Sequence, residues 1–331
     1  MAAGATQRQR VAVIGAGAIG GTMAALLHRA GHDVTVTARG ENLAAIRDHG
    51  LRLRGGLGAH DAPVRALEAL EDAPDLAILS VKATGTEAAL AANRHALADV
   101  PLLVAQNGLH GERAAARLLG HERVAGALSL IAANSLEPGV VTVTASNDTV
   151  VGGPEGARFA ALLGEVMPVV ETPNLEGAQW TKLLINMVNA IPAIVGHPVQ
   201  DVIRDPRLRR VMVASMRECA RVGLAAGVDW QPMQGLTPAL VRMVAWAPRR
   251  IAQRVPLGIG QRLGDVPNLG STQQSIRRGQ PTEVDSINGA VVEAAARVGR
   301  EAPVNAALVE LVHEVERSGR FLAPSVVRRL A

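Results

Sequence analysis

The sequence predicts an α/β protein in which an N-terminal, Rossmann-like doubly wound sheet is followed by an all-α C-terminal domain. A short apolar run leads into a glycine-rich turn near the start of the chain. Strand-like and helix-like segments then alternate through the first half, and helical periodicity dominates after Gly177. A chain of 331 residues is long enough for two domains with full cores. We expect these domains to comprise residues 1–173 and 174–331.

The composition is that of an ordinary globular protein, with 48% hydrophobic and 19% charged residues. The formal charge of +4 is small, aromatic residues make up 2%, and no basic run occurs, so nucleic-acid binding has no support. No apolar stretch reaches the roughly 18 residues of a membrane-spanning helix. A single cysteine, Cys219, excludes an internal disulfide, and the scattered histidines indicate no metal site. We expect a cytoplasmic, reduced protein with no membrane partner.

The first strand and the turn that follows it predict a dinucleotide site. The apolar run at residues 11–14 has the character of a buried parallel strand, and a helical pattern occupies residues 22–30. Between them, glycines allow a tight turn, a close approach of the backbone to a pyrophosphate, and close packing of helix on strand. The predicted cofactor-binding residues of this turn are Gly15, Ala16, Gly17, Ala18, Ile19 and Gly20.

The end of the second predicted strand, residues 33–37, favours NADP over NAD. NAD-binding folds usually place an acidic residue there to bind the ribose hydroxyl groups, whereas this chain has Arg39. A guanidinium group can form charge-assisted hydrogen bonds with a 2′-phosphate and stack on adenine. The alternative interpretation is an arginine of a solvent-exposed loop.

Further strands and helices complete the first domain. Lys82 directly follows one apolar run, and Asn107 lies two residues after another. Ligands of doubly wound sheets bind beyond the carboxyl ends of the strands, so both residues are candidates for contact with the cofactor. We predict helices at residues 42–49, 86–97, 112–119 and 157–167, and strands at 51–53, 76–81, 102–105 and 169–171. The segment 124–151 is rich in strand-like patterns, with a turn at residues 137–139.

A polar stripe at residues 179–189 is the strongest candidate for chemistry in the second half. Lys182, Asn186 and Asn189 are spaced by four and three residues, which places side chains on one face of an α-helix. The chain contains 34 Lys and Arg residues, of which Lys82 and Lys182 are the only lysines. Lysine can be tuned to donate or accept a proton and arginine cannot, so Lys182 is a candidate chemical group. A solvent-facing stripe with a chance lysine is the alternative.

The remaining sequence is predicted to be helical. Apolar residues recur at helical spacing in residues 208–226, 236–244, 284–298 and 304–315. Residues 228–267 contain more Pro, Gly and Arg and have weaker periodicity, so we expect helices joined by loops there.

Four blocks of residues together resemble the ketopantoate reductases, NADPH-dependent enzymes that reduce 2-dehydropantoate to pantoate. The resemblance covers nearly the whole chain. The blocks are Gly15-x-Gly17-x-x-Gly20, Gln106-Asn107-Gly108, Trp180-x-Lys182-Leu-x-x-Asn186, and Ser271-x-x-x-x-Ile276 followed by Pro281-Thr-Glu283-Val-Asp285-x-Ile-Asn288-Gly289.

The resemblance implies a role for each matching residue. Lys182 matches the general acid, and Glu283 matches the glutamate that binds the hydroxyl end of the substrate and supports the lysine. The implied positions for substrate contact are Asn107, Asn186, Asn268 and Ser271, and those near the cofactor are Lys82 and Asn107. Some alternatives stay open, because Glu283 could stabilise a helix start through the helix dipole, and Asn268 and Ser271 could be ordinary loop and cap residues.

Two departures from the family pattern affect the identity of the substrate. Many members carry an asparagine eight residues after the lysine, where this chain has Ala190 and the nearest carboxamide is Asn189. An aspartate often found four residues after the motif serine is Ser275 here. We therefore expect a small 2-oxo acid as substrate, with 2-dehydropantoate the first choice and another 2-oxo acid the alternative.

Two rival functions and the assembly state remain open. The β-hydroxyacid dehydrogenases also place a lysine after a Gly-Ala pair, as at Gly177-Ala178, but their glycine-rich substrate loop has no counterpart at residues 129–134. A non-catalytic NADP-binding sensor would have little use for Lys182 together with Glu283. A homodimer is one of the assembly states that the sequence allows.

Overall fold

The computed structural model describes residues 8–263 and 267–330, which form two compact units divided between Leu175 and Glu176. The first unit contains an eight-stranded sheet in the order β12-β11-β8-β7-β6-β1-β2-β5. Its strands are β1 (Arg10–Ile14), β2 (Asp33–Thr37), β5 (Arg65–Leu67), β6 (Leu76–Leu79), β7 (Leu102–Val104), β8 (Val124–Ser129), β11 (Thr149–Gly152) and β12 (Val169–Thr172). All neighbouring strands are parallel except β8 and β11, which are antiparallel.

The predicted doubly wound sheet is confirmed by the way β1 divides its side chains between two cores. Val11 and Val13 belong to one buried apolar cluster, while Ala12 and Ile14 belong to a second. Successive side chains of a strand point to opposite faces, so both faces of this strand are covered. A strand buried on both faces needs an unbroken apolar run, which is why residues 11–14 contain no polar residue.

Helices of the first unit cover the sheet, and all of them except the third, which begins at residue 86 as predicted, begin one to four residues earlier than predicted. They are α1 (Ala18–Arg29), α2 (Gly40–His49), α3 (Thr86–Leu97), α4 (Gly111–Leu119) and α5 (Gly156–Gly164). Helix α1 starts at Ala18 rather than at residue 22, because Gly21 N–H already donates to Gly17 O at 2.7 Å. Three of the turn residues therefore belong to the first turn of the helix.

A second, four-stranded sheet packs against α1 and was not anticipated. It consists of β3 (Leu51–Gly55), β4 (His60–Ala62), β9 (Ala132–Asn134) and β10 (Val140–Ala145), in the order β4-β3-β10-β9. The strand predicted around residue 51 exists, but it pairs in parallel with β10 rather than with the main sheet. The predicted turn at residues 137–139 joins β9 to β10, which pair in antiparallel fashion.

The regular secondary structure in the described residues of the second unit is helical apart from one isolated bridge between Met233 and Leu236. The helices are α6 (Leu175–Asn186, whose first residue belongs to the first unit), α7 (Ala190–Val195), α8 (Val199–Arg204), α9 (Pro206–Ala225), α10 (Pro238–Trp246), α11 (Arg249–Ala252), α12 (Arg254–Arg262), α13 (Gly270–Arg277), α14 (Ala290–Arg297), α15 (Pro303–Ser318) and α16 (Pro324–Arg328). A π-helical turn, Asp285–Gly289, leads directly into α14.

The all-α prediction for the second half is confirmed. The segment 228–267 contains α10, α11 and α12 joined by short connections, as expected, although residues 264–266 lie outside the described part of the chain. In the described ranges, no helix combines the length and the apolar character needed to cross a membrane.

Candidate active site

The predicted cofactor residues lie at the carboxyl ends of four adjacent parallel strands. The order β7-β6-β1-β2 places the loops that contain Asn107, Lys82, the glycine turn and Arg39 side by side along one edge of the sheet. The chain leaves β1 toward β2 on one side and later returns to β6 on the other side of β1. Such a reversal of strand order is where doubly wound sheets bind ligands.

Gly15 makes a turn that no residue with a side chain could make at this position. Its φ of +103° lies in the left-handed region, and a Cβ atom there would lie 2.8 Å from the backbone nitrogen of Val81. The N–H groups of Gly15 and Ala16 donate to Thr37 O at 3.2 and 3.1 Å. The turn is therefore hydrogen-bonded to the end of β2 and lies close to Val81, which follows β6.

Gly17 and Gly20 differ in what surrounds them. A Cβ atom at Gly20 would lie 2.1 Å from Gly15 O, so glycine is required for close packing within the turn. A Cβ atom at Gly17 would meet no atom within 4 Å, and Gly17 is exposed at the N-cap of α1. No described side chain caps this helix, and its first turn contains no acidic residue. The turn thus offers open space and helix amide groups to an anion, as a pyrophosphate requires.

Asn42 supports this turn and was not among the predicted site residues. Its Nδ2 donates to Ala16 O at 3.0 Å, and its Oδ1 accepts the N–H of Gly139 at 2.8 Å. The carboxamide therefore links the glycine turn to the start of β10 in the second sheet. Only the tertiary structure reveals this link, because residues 42 and 139 are 97 positions apart.

Gln106 connects the loops that contain Lys82 and Asn107. Its Nε2 donates to Val81 O at 2.6 Å and to Thr86 Oγ1 at 2.9 Å. Gln106 is buried, whereas Lys82 and Asn107 are both half-buried. The first residue of the Gln106-Asn107-Gly108 motif therefore holds the loop, and the second is left in a position accessible to a ligand.

Arg39 lies at the end of β2 and is exposed. It is the N-cap residue of α2, and its carbonyl oxygen accepts the N–H of Leu43 at 3.3 Å. The position is the one that the sequence predicts for a residue that selects the cofactor, at the carboxyl end of the second strand.

The two residues before Lys182 anchor its helix. Trp180 packs edge to face on Trp230, with ring centroids 5.9 Å apart. Thr181 is fully buried, and its hydroxyl group donates to Gln231 O at 2.6 Å. A Cβ atom at Gly223 of α9 would lie 2.4 Å from the Trp230 ring, so glycine makes room for the tryptophan pair. These contacts hold α6 firmly while Lys182 itself is half-buried.

The polar stripe is shorter than the sequence spacing indicated. Helix α6 ends at Asn186, and the N–H groups of residues 187–189 bond to carbonyl groups three residues earlier, so Asn189 is the N-cap of a new helix, α7. Pro192 explains the break, because it has no N–H for the carbonyl of Val188 and its ring clashes with that carbonyl in a continuous helix. Lys182 and Asn186 share a helix face, and Asn189 does not continue it.

Glu283 immediately precedes the helical segment that begins at Val284. The hydroxyl group of Thr282 accepts the N–H of Val284 at 3.3 Å, and Glu316 Oε1 accepts the N–H of Thr282 at 2.7 Å. The Glu283 carbonyl accepts the N–H of Ile287 at 3.0 Å. The backbone of Glu283 is thus held on both sides, by the bond between Thr282 and Val284 and by the helical bond to Ile287.

A histidine joins two carboxylates just beyond this helix start. His313 Nδ1 lies 2.7 Å from Glu316 Oε2, and His313 Nε2 lies 3.0 Å from Asp285 Oδ1. Burial opposes the protonation of His313, but the hydrogen bonds with Glu316 and Asp285 outweigh it and raise its pKa above the ordinary value. Since Glu316 also holds Thr282, the histidine stabilises the segment that contains Glu283.

Asn268 and Ser271 begin the segment that leads into α13. Asn268 Oδ1 accepts the N–H of Gly270 at 2.7 Å, a local hydrogen bond of the kind that an ordinary loop asparagine makes. Asn268 is half-buried, and Ser271 is exposed in the first turn of α13. Within the described residues, no cluster of His, Cys, Asp and Glu is suited to hold a metal ion.

The short junction between α6 and α7 contacts two segments that contain other candidate residues of the second unit. Met187 Sδ lies 3.7 Å from Asn288 Nδ2, on the turn that follows Glu283. Asn189 Oδ1 would lie 2.7 Å from a Cβ atom at Gly270, beside Asn268 and Ser271. The residues directly after Asn186 therefore contact both of the segments that contain the other candidates.

Comparison with known families gives matches to both halves of the chain. The model described as "Ketopantoate reductase PanE/ApbA" matches residues 11–156. The model described as "Ketopantoate reductase PanE/ApbA C terminal" matches residues 174–316.

Proteins of similar sequence include two named 2-dehydropantoate 2-reductase. The protein from Pyrococcus horikoshii is 30% identical over 321 residues, which cover 94% of this chain and 98% of the relative. The protein from Archaeoglobus fulgidus is 31% identical over 317 residues, which cover 93% of this chain and 98% of the relative.

Solved structures of similar proteins share the fold. A PanE/ApbA family ketopantoate reductase from Ralstonia eutropha superposes with a TM-score of 0.77 at 32% identity, covering 94% of this chain and 99% of that chain. A ternary structure of D-mandelate dehydrogenase with NADH and anilino(oxo)acetate gives a TM-score of 0.80 at 22% identity, covering 94% and 99% of the two chains. The second match shows a common fold.

Proposed function

Because the chain belongs to the ketopantoate reductase family of oxidoreductases, we propose that it reduces 2-dehydropantoate to pantoate with NADPH. The observation that supports this most is the combination of an open glycine turn at Gly17 with a firmly anchored, half-buried Lys182. A protein that only binds the cofactor needs the first feature and has no use for the second.

The cofactor would be held by the adjacent strand ends of the first unit. The open space at Gly17 and the uncapped start of α1 fit a pyrophosphate, and the exposed guanidinium of Arg39 fits a 2′-phosphate. The residues that would line this site are Gly15, Ala16, Gly17, Ala18, Ile19, Gly20, Arg39, Lys82 and Asn107. When bound, the nicotinamide would supply a hydride to C2 of the substrate.

Lys182 would act on the substrate carbonyl group. Reduction at C2 leaves negative charge on the carbonyl oxygen, and a protonated amine can stabilise that charge and then supply the proton. Arginine could stabilise the charge but could not release the proton, which would account for a lysine at position 182 in a chain whose only other lysine is Lys82.

The other candidates would hold the substrate. Glu283, with its backbone fixed by Thr282 and Ile287, would accept a hydrogen bond from the substrate hydroxyl group. Substrate contact is also proposed for Asn107, Asn186, Asn268 and Ser271. The oxygen of Asn268 is engaged by Gly270, so its Nδ2 is the group that would donate to a substrate oxygen.

A different 2-oxo acid is the second candidate substrate, and Ala190 is the observation that favours it. Ala190 is fully buried in the first turn of α7, where many family members have an asparagine. An apolar methyl group at this position offers no hydrogen bond to a polar substrate group. A branched, fully apolar side chain such as that of 2-ketoisovalerate would not need one.

The proposal is tested by mixing the protein with NADPH and each of a panel of 2-oxo acids. Oxidation of NADPH is measured from the loss of its near-ultraviolet absorbance. We expect the highest kcat/KM with ketopantoate and a lower value with 2-ketoisovalerate. A higher value with an apolar 2-oxo acid would identify the alternative substrate. Tight NADPH binding with no turnover of any 2-oxo acid would contradict the proposed reaction.

The cofactor preference is tested separately with Arg39→Ala. Loss of a charge-assisted hydrogen bond costs about 1.5–3 kcal/mol, so kcat/KM with NADPH should fall about 10- to 160-fold while kcat/KM with NADH changes little. Arg117→Ala, which removes another exposed arginine from α4, serves as the matched control. Equal kinetics with NADH and NADPH in the unmodified enzyme would refute the role of Arg39.

A further inference from the structure

A buried network of polar side chains contacts the residue that follows the Lys182 helix and includes a residue of the turn that follows Glu283. Ser215, Asn288 and Asn305 are each at most 1% exposed, and Met187 is fully buried beside them. They come from four different elements, namely α9, the turn Asp285–Gly289, α15 and the junction after α6. None of these residues was predicted to have a function.

Asn305 is the centre of this network. Its Oδ1 accepts hydrogen bonds from Asn288 Nδ2 and from Ser215 Oγ, both at 2.8 Å. Its Nδ2 donates to Glu218 Oε2 at 2.7 Å and to Ser215 O at 3.1 Å. The two oxygens of Glu218 also accept the N–H groups of Val304 and Asn305, both at 2.9 Å, at the start of α15.

The network reaches the helix of Lys182 through a sulfur atom. Asn288 Nδ2 lies 3.7 Å and Ser215 Oγ lies 3.5 Å from Met187 Sδ. Met187 is the first residue after Asn186, at the end of α6. Asn288 therefore contacts the end of the Lys182 helix while it is itself five residues after Glu283.

A buried network of this kind favours a single packing of the four elements that it joins. Buried polar groups are costly when their hydrogen bonds are lost, so a satisfied network strongly favours the single packing in which all its bonds form. The π-helical turn adds to this requirement, because π turns are rare and are found frequently at functional sites. In this turn, Asn288 faces the core with only 1% exposure.

We infer that Asn288 is a positioning residue, which through Asn305 and Met187 sets the placement of Glu283 relative to the Lys182 helix. The inference rests on the proposed function, since it takes Glu283 and Lys182 as the groups that contact the substrate. Asn288 acts through Glu283 and is not itself a catalytic residue.

The test is a double-mutant cycle between Asn288→Ala and Glu283→Gln. If Asn288 acts by placing Glu283, Asn288→Ala should raise KM for ketopantoate and lower kcat/KM about 10- to 100-fold, the loss expected for a displacement of about 1 Å. In the Glu283→Gln background the same substitution should then change kcat/KM less than about threefold, since coupled residues are not additive. Calorimetric affinity for pantoate should weaken in parallel, while NADPH affinity should stay unchanged.

Val241→Ala is the matched control for a loss of stability alone. Val241 is a buried residue of α10 that takes no part in the network, so its truncation leaves a cavity elsewhere in the same unit. We expect this variant to lose thermal stability while keeping its kcat/KM and its affinity for pantoate below the melting temperature.

Three outcomes would overturn the inference. Multiplicative effects of Asn288→Ala and Glu283→Gln would show that they act independently, and kinetics of Asn288→Ala equal to those of Val241→Ala would show a structural role alone. In both cases wild-type turnover of ketopantoate would leave the proposed function intact. Absence of that turnover in the wild type would refute the proposed function and, with it, this inference.

Discussion

Substitution of Gly17 by alanine separates binding of the cofactor from stability of the fold. A methyl group at Gly17 would meet no protein atom within 4 Å, and the φ of −82° suits alanine. Alanine is a poorer N-cap than glycine, but it also lowers the entropy of the unfolded chain, so the two effects oppose each other. We expect a net change below about 1 kcal/mol, or at most about 4 °C in melting temperature.

The same methyl group should interfere with a bound pyrophosphate. The open space at Gly17 is where the backbone would approach the cofactor, and an added side chain would occupy it. We expect the Kd for NADPH, measured by calorimetry or by quenching of tryptophan fluorescence, to rise at least about tenfold, which corresponds to about 1.4 kcal/mol.

Gly20→Ala is the matched comparison within the same turn. Its methyl group would lie 2.1 Å from Gly15 O, so the backbone must move. Overpacking of this kind costs about 1–3 kcal/mol, which lowers the melting temperature by about 2–12 °C. A Gly17→Ala protein with unchanged affinity for NADPH would refute the placement of the pyrophosphate at this turn.

Two further predictions concern ionisable groups outside the glycine turn. The pKa of His313 is raised in the folded state. Its contribution to stability is therefore present below the pKa of the unfolded state, about 6.5, and is lost as the pH rises through the raised pKa of the folded state. His313→Gln should thus lower the melting temperature more at about pH 6 than at about pH 9. An equal loss at both pH values would contradict the ionic role of His313. Burial raises the pKa of the Cys219 thiol, so it should react with a disulfide reagent only on unfolding, and rapid labelling of the folded protein would disprove this.

The parts of the molecule that depend on local sequence could be predicted. The apolar run of β1, the glycine turn and α1 follow one another directly, and their chemistry needs no information from the rest of the chain. The break after Asn186 could also have been predicted from Pro192, since a proline disrupts a helix at the preceding turn. The prediction from the spacing of polar residues made this helix too long because it did not take that proline into account.

The features that depend on distant residues could not be predicted. In the parallel pairing of β3 with β10, Leu53 lies opposite Val141, which is distant from it in the sequence. The pattern of residues in a strand does not specify such a partner. The network around Asn305 joins residues that are 17 and 90 positions apart, and a lone asparagine in a helical pattern reveals nothing about its partners. Burial of these polar groups is a property of the tertiary structure.

Transfer of deuterium from C4-labelled NADPH to ketopantoate tests the central proposal most directly. With each face of the nicotinamide labelled in turn, we predict that one of the two labelled cofactors gives pantoate with a single deuterium at C2, detected by mass spectrometry and NMR. Lys182→Ala should lower the rate of this transfer by on the order of 10²-fold or more, and Lys182→Arg should not restore it. Unlabelled product with both labelled cofactors would contradict the proposed role of the cofactor, and near-normal transfer by Lys182→Ala would contradict the proposed role of Lys182.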